Sequence, residues 1–136
     1  MNKQKLIFVV DDDPSILKSV ERLLKAHGFQ VQVFASAEDF QKTATLSDGM
    51  CLIVDIRLSG KSGIELAGEL TMSTVPLPVI FITGADNEAT RRAACSVDFV
   101  AFLTKPFSAN SLLHAIEKAS SHQNSVLELC VGATLE

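Results

Sequence analysis

Leu6-Ile7-Phe8-Val9-Val10-Asp11-Asp12-Asp13-Pro14 sets five apolar residues directly against three carboxylates and a proline. A strand with one face in water alternates polar with apolar residues. An unbroken apolar run of this length predicts instead a central strand covered by helices on both faces. The acids end the strand abruptly. Asp13 suits a helix N-cap and Pro14 the first helical position, where a missing backbone N–H costs nothing. Ile16, Leu17, Val20, Leu23 and Leu24 then recur at helical spacing until Gly28, a residue suited to closing a helix. Strand, short loop and helix thus follow one another directly, as in the opening of a βαβ unit.

Outward from this stretch the alternation continues. Gln30-Val31-Gln32-Val33-Phe34 alternates polar with apolar, which predicts a second strand at a sheet edge. Ser36 and Asp39 have capping-box spacing and open a short helix. Cys51-Leu52-Ile53-Val54-Asp55 predicts strand three, and Ser62 with Glu65 caps the next helix. Val79-Ile80-Phe81-Ile82-Thr83 predicts strand four, followed by a helix from about Asn87 to Cys95. Phe99-Val100-Ala101-Phe102-Leu103 predicts strand five, and Ser108 opens a last helix carrying Leu112, Leu113, Ile116 and Ala119. Strands alternating with helices predict an α/β domain around a parallel sheet. The body is expected to span residues 1–121. Residues 122–136 form a tail or the start of a linker, in which Val126, Leu127, Leu129 and Val131 suit a helix extension and Leu135-Glu136 a cloning scar.

A chain of 136 residues fits one domain, which at that size buries roughly 68% of its unfolded surface. The content of 47% hydrophobic and 21% charged residues is that of a globular protein. A net charge of -4, with twelve Lys and Arg scattered along the chain, argues against a nucleic-acid surface. Cys51, Cys95 and Cys130 are too far apart for a metal-binding pair and odd in number, which fits a reducing cytoplasm. The apolar runs are strand-sized and no signal-peptide pattern precedes the first, so no membrane span or export is expected.

In open parallel sheets, ligands bind beyond the carboxyl ends of the strands, where strand order reverses. Strand one ends in Asp11-Asp12, strand three in Asp55, strand four in Thr83, and strand five runs into Lys105-Pro106. Any one of these suits an ordinary turn or cap. Turns do not require three acids, a hydroxyl and a lysine at one rim. Three close carboxylates repel one another unless a hard cation joins them, and Mg²⁺ prefers such oxygen ligands. A carboxylate there can act as a nucleophile and become an aspartyl phosphate, with the cation and a lysine offsetting phosphoryl charge.

The stretches Val9-Val10-Asp11-Asp12-Asp13-Pro14, Ile53-Val54-Asp55-Ile56-Arg57, Ile82-Thr83-Gly84 and Phe102-Leu103-Thr104-Lys105-Pro106-Phe107 together resemble a response-regulator receiver domain. The resemblance covers residues 5 to about 120. It implies a flavodoxin-like (βα)5 fold, doubly wound, with five parallel strands in the order 2-1-3-4-5. It implies that Asp55 is the phosphoacceptor and that Asp12 and Asp55 bind Mg²⁺, with Asp11 acting through water and Arg57 through its backbone carbonyl. Lys105 then contacts the phosphoryl group, Thr83 moves to hydrogen-bond it, and Phe102 is the aromatic switch that turns inward. Arg57 and Ala85 occupy positions that tune the phosphoryl lifetime. The implied function is phosphorelay signalling in which a sensor histidine kinase or phosphotransfer protein supplies the phosphoryl group. Such a protein is a phosphoacceptor that assists its own phosphorylation and dephosphorylation rather than a turnover enzyme. Its output face, helix four with strand five and helix five, is expected to bind a partner or a second copy.

Two departures from the family pattern stand out. Ser59 occupies a position where proline is common, which predicts a less rigid loop, and Asp98-Phe99 replaces a frequent Gly-Ala before strand five. Three other readings fare worse. Gly60-Lys61-Ser62 imitates a phosphate-binding loop, but its first glycine would fall on Asp55. Asp11-x-Asp13 with Thr83 and Lys105 imitates a haloacid dehalogenase-type phosphatase with Asp11 as nucleophile, yet leaves Asp55 without a role. A receiver-like fold used only for protein contacts leaves the complete acid, hydroxyl and lysine set unexplained. His27, His114 and His122 lie apart from the acids and are expected to be exposed helix residues.

Overall fold

The computed structural model describes residues 6–75 and 77–121. The expectations for the tail, and for Cys130 and His122, lie outside the described residues. Element order is β1 (Leu6–Val10), α1 (Pro14–Ala26), β2 (Gln30–Phe34), α2 (Ala37–Thr43), a 3-10 turn (Leu46–Asp48), β3 (Cys51–Asp55), α3 (Gly63–Thr71), β4 (Val79–Thr83), α4 (Glu88–Ala94), β5 (Ala101–Thr104) and α5 (Ala109–Ser120). The strands form one parallel sheet in the order β2-β1-β3-β4-β5. This is the flavodoxin-like arrangement, with strand order reversing between β1 and β3.

Because side chains alternate across a strand, each apolar run serves two cores. Phe8, Val10, Leu52, Val54, Val79 and Phe81 join the core that includes Phe40, Leu66 and Ala94 from α2, α3 and α4. Ile7, Val9, Cys51, Ile53, Ile80 and Ile82 join the opposite core, with Val20 and Leu24 of α1 and Leu112 and Ile116 of α5. Phe8, Phe34 and Phe40 form an aromatic cluster with ring centroids 5.3–6.2 Å apart. The central strands are buried but for half-buried Leu6, whereas Gln30 and Gln32 of edge strand β2 face solvent, as their alternation foretold.

The helix starts are built as their sequences require. Asp13 caps α1 by accepting from Ser15 N–H at 2.9 Å, with Pro14 in the first turn, and Gly28 beyond its end takes φ +90°. Ser62 and Glu65 exchange both bonds of a capping box at α3, while Ser36, Asn87 and Ser108 cap α2, α4 and α5. Gly63, in the first turn of α3, lies so close to the Asp55 carbonyl that a Cβ would collide with it. That contact holds the helix start directly against the end of β3.

Strand five is the one strand whose bounds differ from expectation, since it starts at Ala101 rather than Phe99 and runs to Thr104. The neighbouring β4 begins only at Val79, whose carbonyl accepts from Val100 N–H at 2.7 Å. Phe99 therefore has no strand residue opposite it. Its ring instead enters the core beside Phe81 and Phe102, with centroids 5.5 and 6.5 Å away.

Candidate functional site

The carboxyl ends of β1, β3, β4 and β5 bring Asp11, Asp12, Asp55, Thr83 and Lys105 to one rim, at the reversal of strand order. Asp11, Asp12 and Asp55 each offer a carboxylate oxygen within 4.8 Å of the others. Lys105 closes the group, with Nζ 2.9 Å from Asp55 Oδ2 and 3.0 Å from Asp11 Oδ2. The loop that delivers Lys105 is fixed by its N–H donating to the Thr83 carbonyl at 2.7 Å, and the Lys105-Pro106 peptide is cis.

Each acid is held differently. Asp11 is fully buried and its Oδ1 accepts from Asp13 N–H at 2.9 Å. Its Oδ2 is near Lys105 but outside hydrogen-bonding geometry, so this buried oxygen has no hydrogen-bond partner. Asp55 Oδ1 accepts from Arg57 N–H at 3.0 Å, while Oδ2 accepts from Lys105. Asp12 is exposed, and its Oδ2 accepts from both the N–H and the hydroxyl of Ser59 at 3.3 Å. Thr83 is buried, its hydroxyl accepting from Ala85 N–H at 3.1 Å.

Burial pushes the Asp11 carboxyl above its ordinary range, against the pull of Asp13 N–H and the nearby ammonium. Burial alone would lower Lys105. Its hydrogen bond to Asp55 and the proximity of Asp11 outweigh that, and the ammonium is held above its ordinary value. Lys105 is thus a fixed positive charge at neutral pH, but one charge against three carboxylates. The surplus negative charge, the all-oxygen donor set and the buried Asp11 oxygen held by the Lys105 ion pair alone fit a hard divalent cation such as Mg²⁺.

Several contacts had no signal in the sequence. The loop after Asp55 was expected to be loosened by Ser59. In that loop Ser59 donates to Asp12 and Lys61 N–H donates to Glu38 at 3.0 Å. Lys61 Nζ also reaches Glu69 at 2.6 Å. On the far side, Asp86 accepts from Arg91 at 2.7 and 3.0 Å and from the Thr104 hydroxyl at 2.9 Å. Arg91 lies over the half-buried Phe102 ring, 4.6 Å from its centroid. These pairs join loops distant in sequence, and no local pattern announces them. His27 and His114 are exposed, as expected, and neither is among the groups at the acid rim.

A doubly wound parallel sheet with this set of acids, hydroxyl and lysine at its switch point defines a class, and comparison with known proteins agrees. The family model described as the response regulator receiver domain matches residues 7–117, and the chain belongs to that family. Nodulation protein W of Bradyrhizobium diazoefficiens is 35% identical over 115 residues, covering 85% of this chain and 51% of that protein. Response regulator protein TodT of Pseudomonas putida is 32% identical over 118 residues, covering 87% and 52%. The crystal structure of FixJ-N superposes with a TM-score of 0.77 at 31% identity, covering 90% of this chain and 98% of that one. The chain spans about half the length of the curated relatives it matches. Among the described residues, no helix is long and apolar enough to cross a membrane.

Proposed function

We propose that this receiver domain accepts a phosphoryl group on Asp55 from a phosphohistidine of a sensor kinase or phosphotransfer protein. The observation that carries the reading is the ion pair of Lys105 with Asp55 at 2.9 Å inside the acid group. Asp55 has 8% of its side chain exposed, whereas Asp11 has none. A donor therefore reaches Asp55 and not Asp11, which counts against Asp11 as the nucleophile of a phosphatase.

In the transfer, an Asp55 carboxylate oxygen forms a bond to phosphorus as the P–N bond of the donor breaks, and the departing imidazole takes up a proton. Arg57 N–H holds one Asp55 oxygen and so fixes the carboxylate plane. Lys105 supplies a permanent positive charge for the incoming phosphoryl oxygens. Mg²⁺ would be held by Asp12 and Asp55, with Asp11 acting through water and the Arg57 carbonyl as a further ligand, and would supply charge neutralisation for the transfer. Thr83 leaves Ala85 N–H to hydrogen-bond the phosphoryl group, and Phe102 follows it inward. Arg57 and Ala85, flanking the acceptor, set how readily water reaches the product.

The output is the surface of α4, β5 and α5, which binds a partner or a second copy of the chain. Between β5 and α5 it carries an open groove lined by Ala101, Leu103, His114 and Lys118. The cysteine pattern is the basis for placing this activity in the cytoplasm. The test is intact mass after incubation with acetyl phosphate and Mg²⁺. A gain of one phosphoryl mass is expected for the wild type and lost in Asp55→Asn or with excess chelator. No gain under any condition would leave either a receiver selective for its phosphohistidine donor or a domain that acts through protein contacts alone.

A further inference from the structure

We infer that Ser59 is a positioning residue for the cation site, acting through Asp12; the inference rests on the phosphoacceptor reading above. Asp12 is the exposed member of the three acids; Asp11 and Asp55 are buried and each accept from the N–H two residues further on, whereas Asp12 accepts from Ser59. An exposed carboxylate of this kind rotates freely unless something restrains it. Ser59 supplies the restraint from 47 positions along the chain, donating both its backbone N–H and its hydroxyl to Oδ2 at 3.3 Å. Two donors on one oxygen restrain the carboxylate plane and leave Oδ1 free of Ser59.

The same contact couples two parts of the site. Ser59 lies in the loop that begins at Asp55 and Arg57, and this loop is anchored at its other end by Lys61 N–H on Glu38. Ser59 thereby draws the end of β3 toward the end of β1, so the carboxylates are gathered before a cation arrives. A proline here would offer neither donor, since its nitrogen carries no hydrogen. Groups that orient a metal's ligands commonly change its affinity by about tenfold or more. Ser59→Ala removes the hydroxyl and keeps the N–H, so a smaller loss of about three- to tenfold is expected.

The test is Mg²⁺ titration of the wild type, Ser59→Ala, Ser59→Thr and Asp55→Asn, followed by calorimetry and by amide chemical shifts. Ser59→Ala should bind Mg²⁺ about three- to tenfold more weakly, and Ser59→Thr, which keeps both donors, should restore wild-type affinity. At saturating Mg²⁺, phosphorylation of Ser59→Ala by acetyl phosphate should return to within about twofold of the wild-type rate, because only cation capture is impaired. If Ser59→Ala binds Mg²⁺ as tightly as the wild type, or if Ser59→Thr is as weak as Ser59→Ala, the positioning role is overturned while the phosphoacceptor reading stands. If the wild type itself binds no Mg²⁺, both fall.

Discussion

Asp11 is the residue at which folding and function pull hardest against each other. Its carboxylate is fully buried, with one oxygen lacking a hydrogen-bond partner, and burial raises its pKa. The ionised form is therefore disfavoured in the folded chain relative to the unfolded one, and at neutral pH this costs stability. Asp11→Asn removes the charge with little change of shape. It is expected to raise stability by about 1 kcal/mol, or roughly 3–5 °C in Tm, while weakening Mg²⁺ binding. Paired thermal melts and Mg²⁺ titrations check both halves, and a less stable Asp11→Asn protein would contradict the cost assigned to the buried charge. The acids themselves were legible in the sequence because each ends an apolar run, and a parallel sheet collects such ends on one rim. The hold of Ser59 on Asp12 was not, because it depends on how two loops 47 residues apart meet.

At the scale of elements, α4 is the lightly anchored one, with Ala94 its sole buried residue. It is tied to the rest through Arg91, whose guanidinium is clasped by Asp86 and covers Phe102, while Thr104 of β5 holds Asp86 from below. Asp86 is held below the ordinary carboxylate range by its bonds to Arg91 and Thr104, so the clasp is charged at neutral pH. An inward turn of Phe102 would have to leave Arg91. Arg91→Ala is expected to lower the beryllofluoride concentration needed for half-activation by about fivefold, the effect of losing one cation–π contact and its ion pair. Titration followed by the amide shift of Phe102 measures it, and an unchanged midpoint would show that the clasp does not restrain the switch. The helices themselves were readable from caps and periodicity. The start of β5 was misjudged by two residues because an apolar β-branched run marks burial as well as pairing, and Phe99 is buried without a strand partner.

Across the whole molecule, the ion pairs set how the fold responds to acid. Glu38 is held below the ordinary carboxylate range by Lys61 N–H, Glu69 by the Lys61 ammonium, and Asp86 by Arg91. Groups lowered in the folded state contribute stability that is present above their unfolded pKa and lost as pH falls through the folded value. Asp11 has the opposite sign, since its protonation relieves a penalty as pH falls. Because the three lowered groups are exposed, each contributes little. A gradual fall in Tm between about pH 5 and pH 3 is therefore expected, rather than a sharp loss. Thermal melts across that range check it, and a Tm that rises steadily toward pH 3 would mean that Asp11 dominates. The layered parallel sheet and its two cores were legible from the strand and helix alternation, since continuous apolar runs such as β1, β3 and β4 need cover on both faces, whereas the strand order followed only from the family resemblance.

The most direct test of Asp55 as the acceptor is chemical trapping. After brief incubation with acetyl phosphate and Mg²⁺, borohydride reduces an aspartyl phosphate to homoserine, and peptide mapping locates the reduced residue. The expected result is conversion of Asp55 alone, absent when acetyl phosphate or Mg²⁺ is omitted. Conversion of Asp11 instead, or of no aspartate, would contradict it.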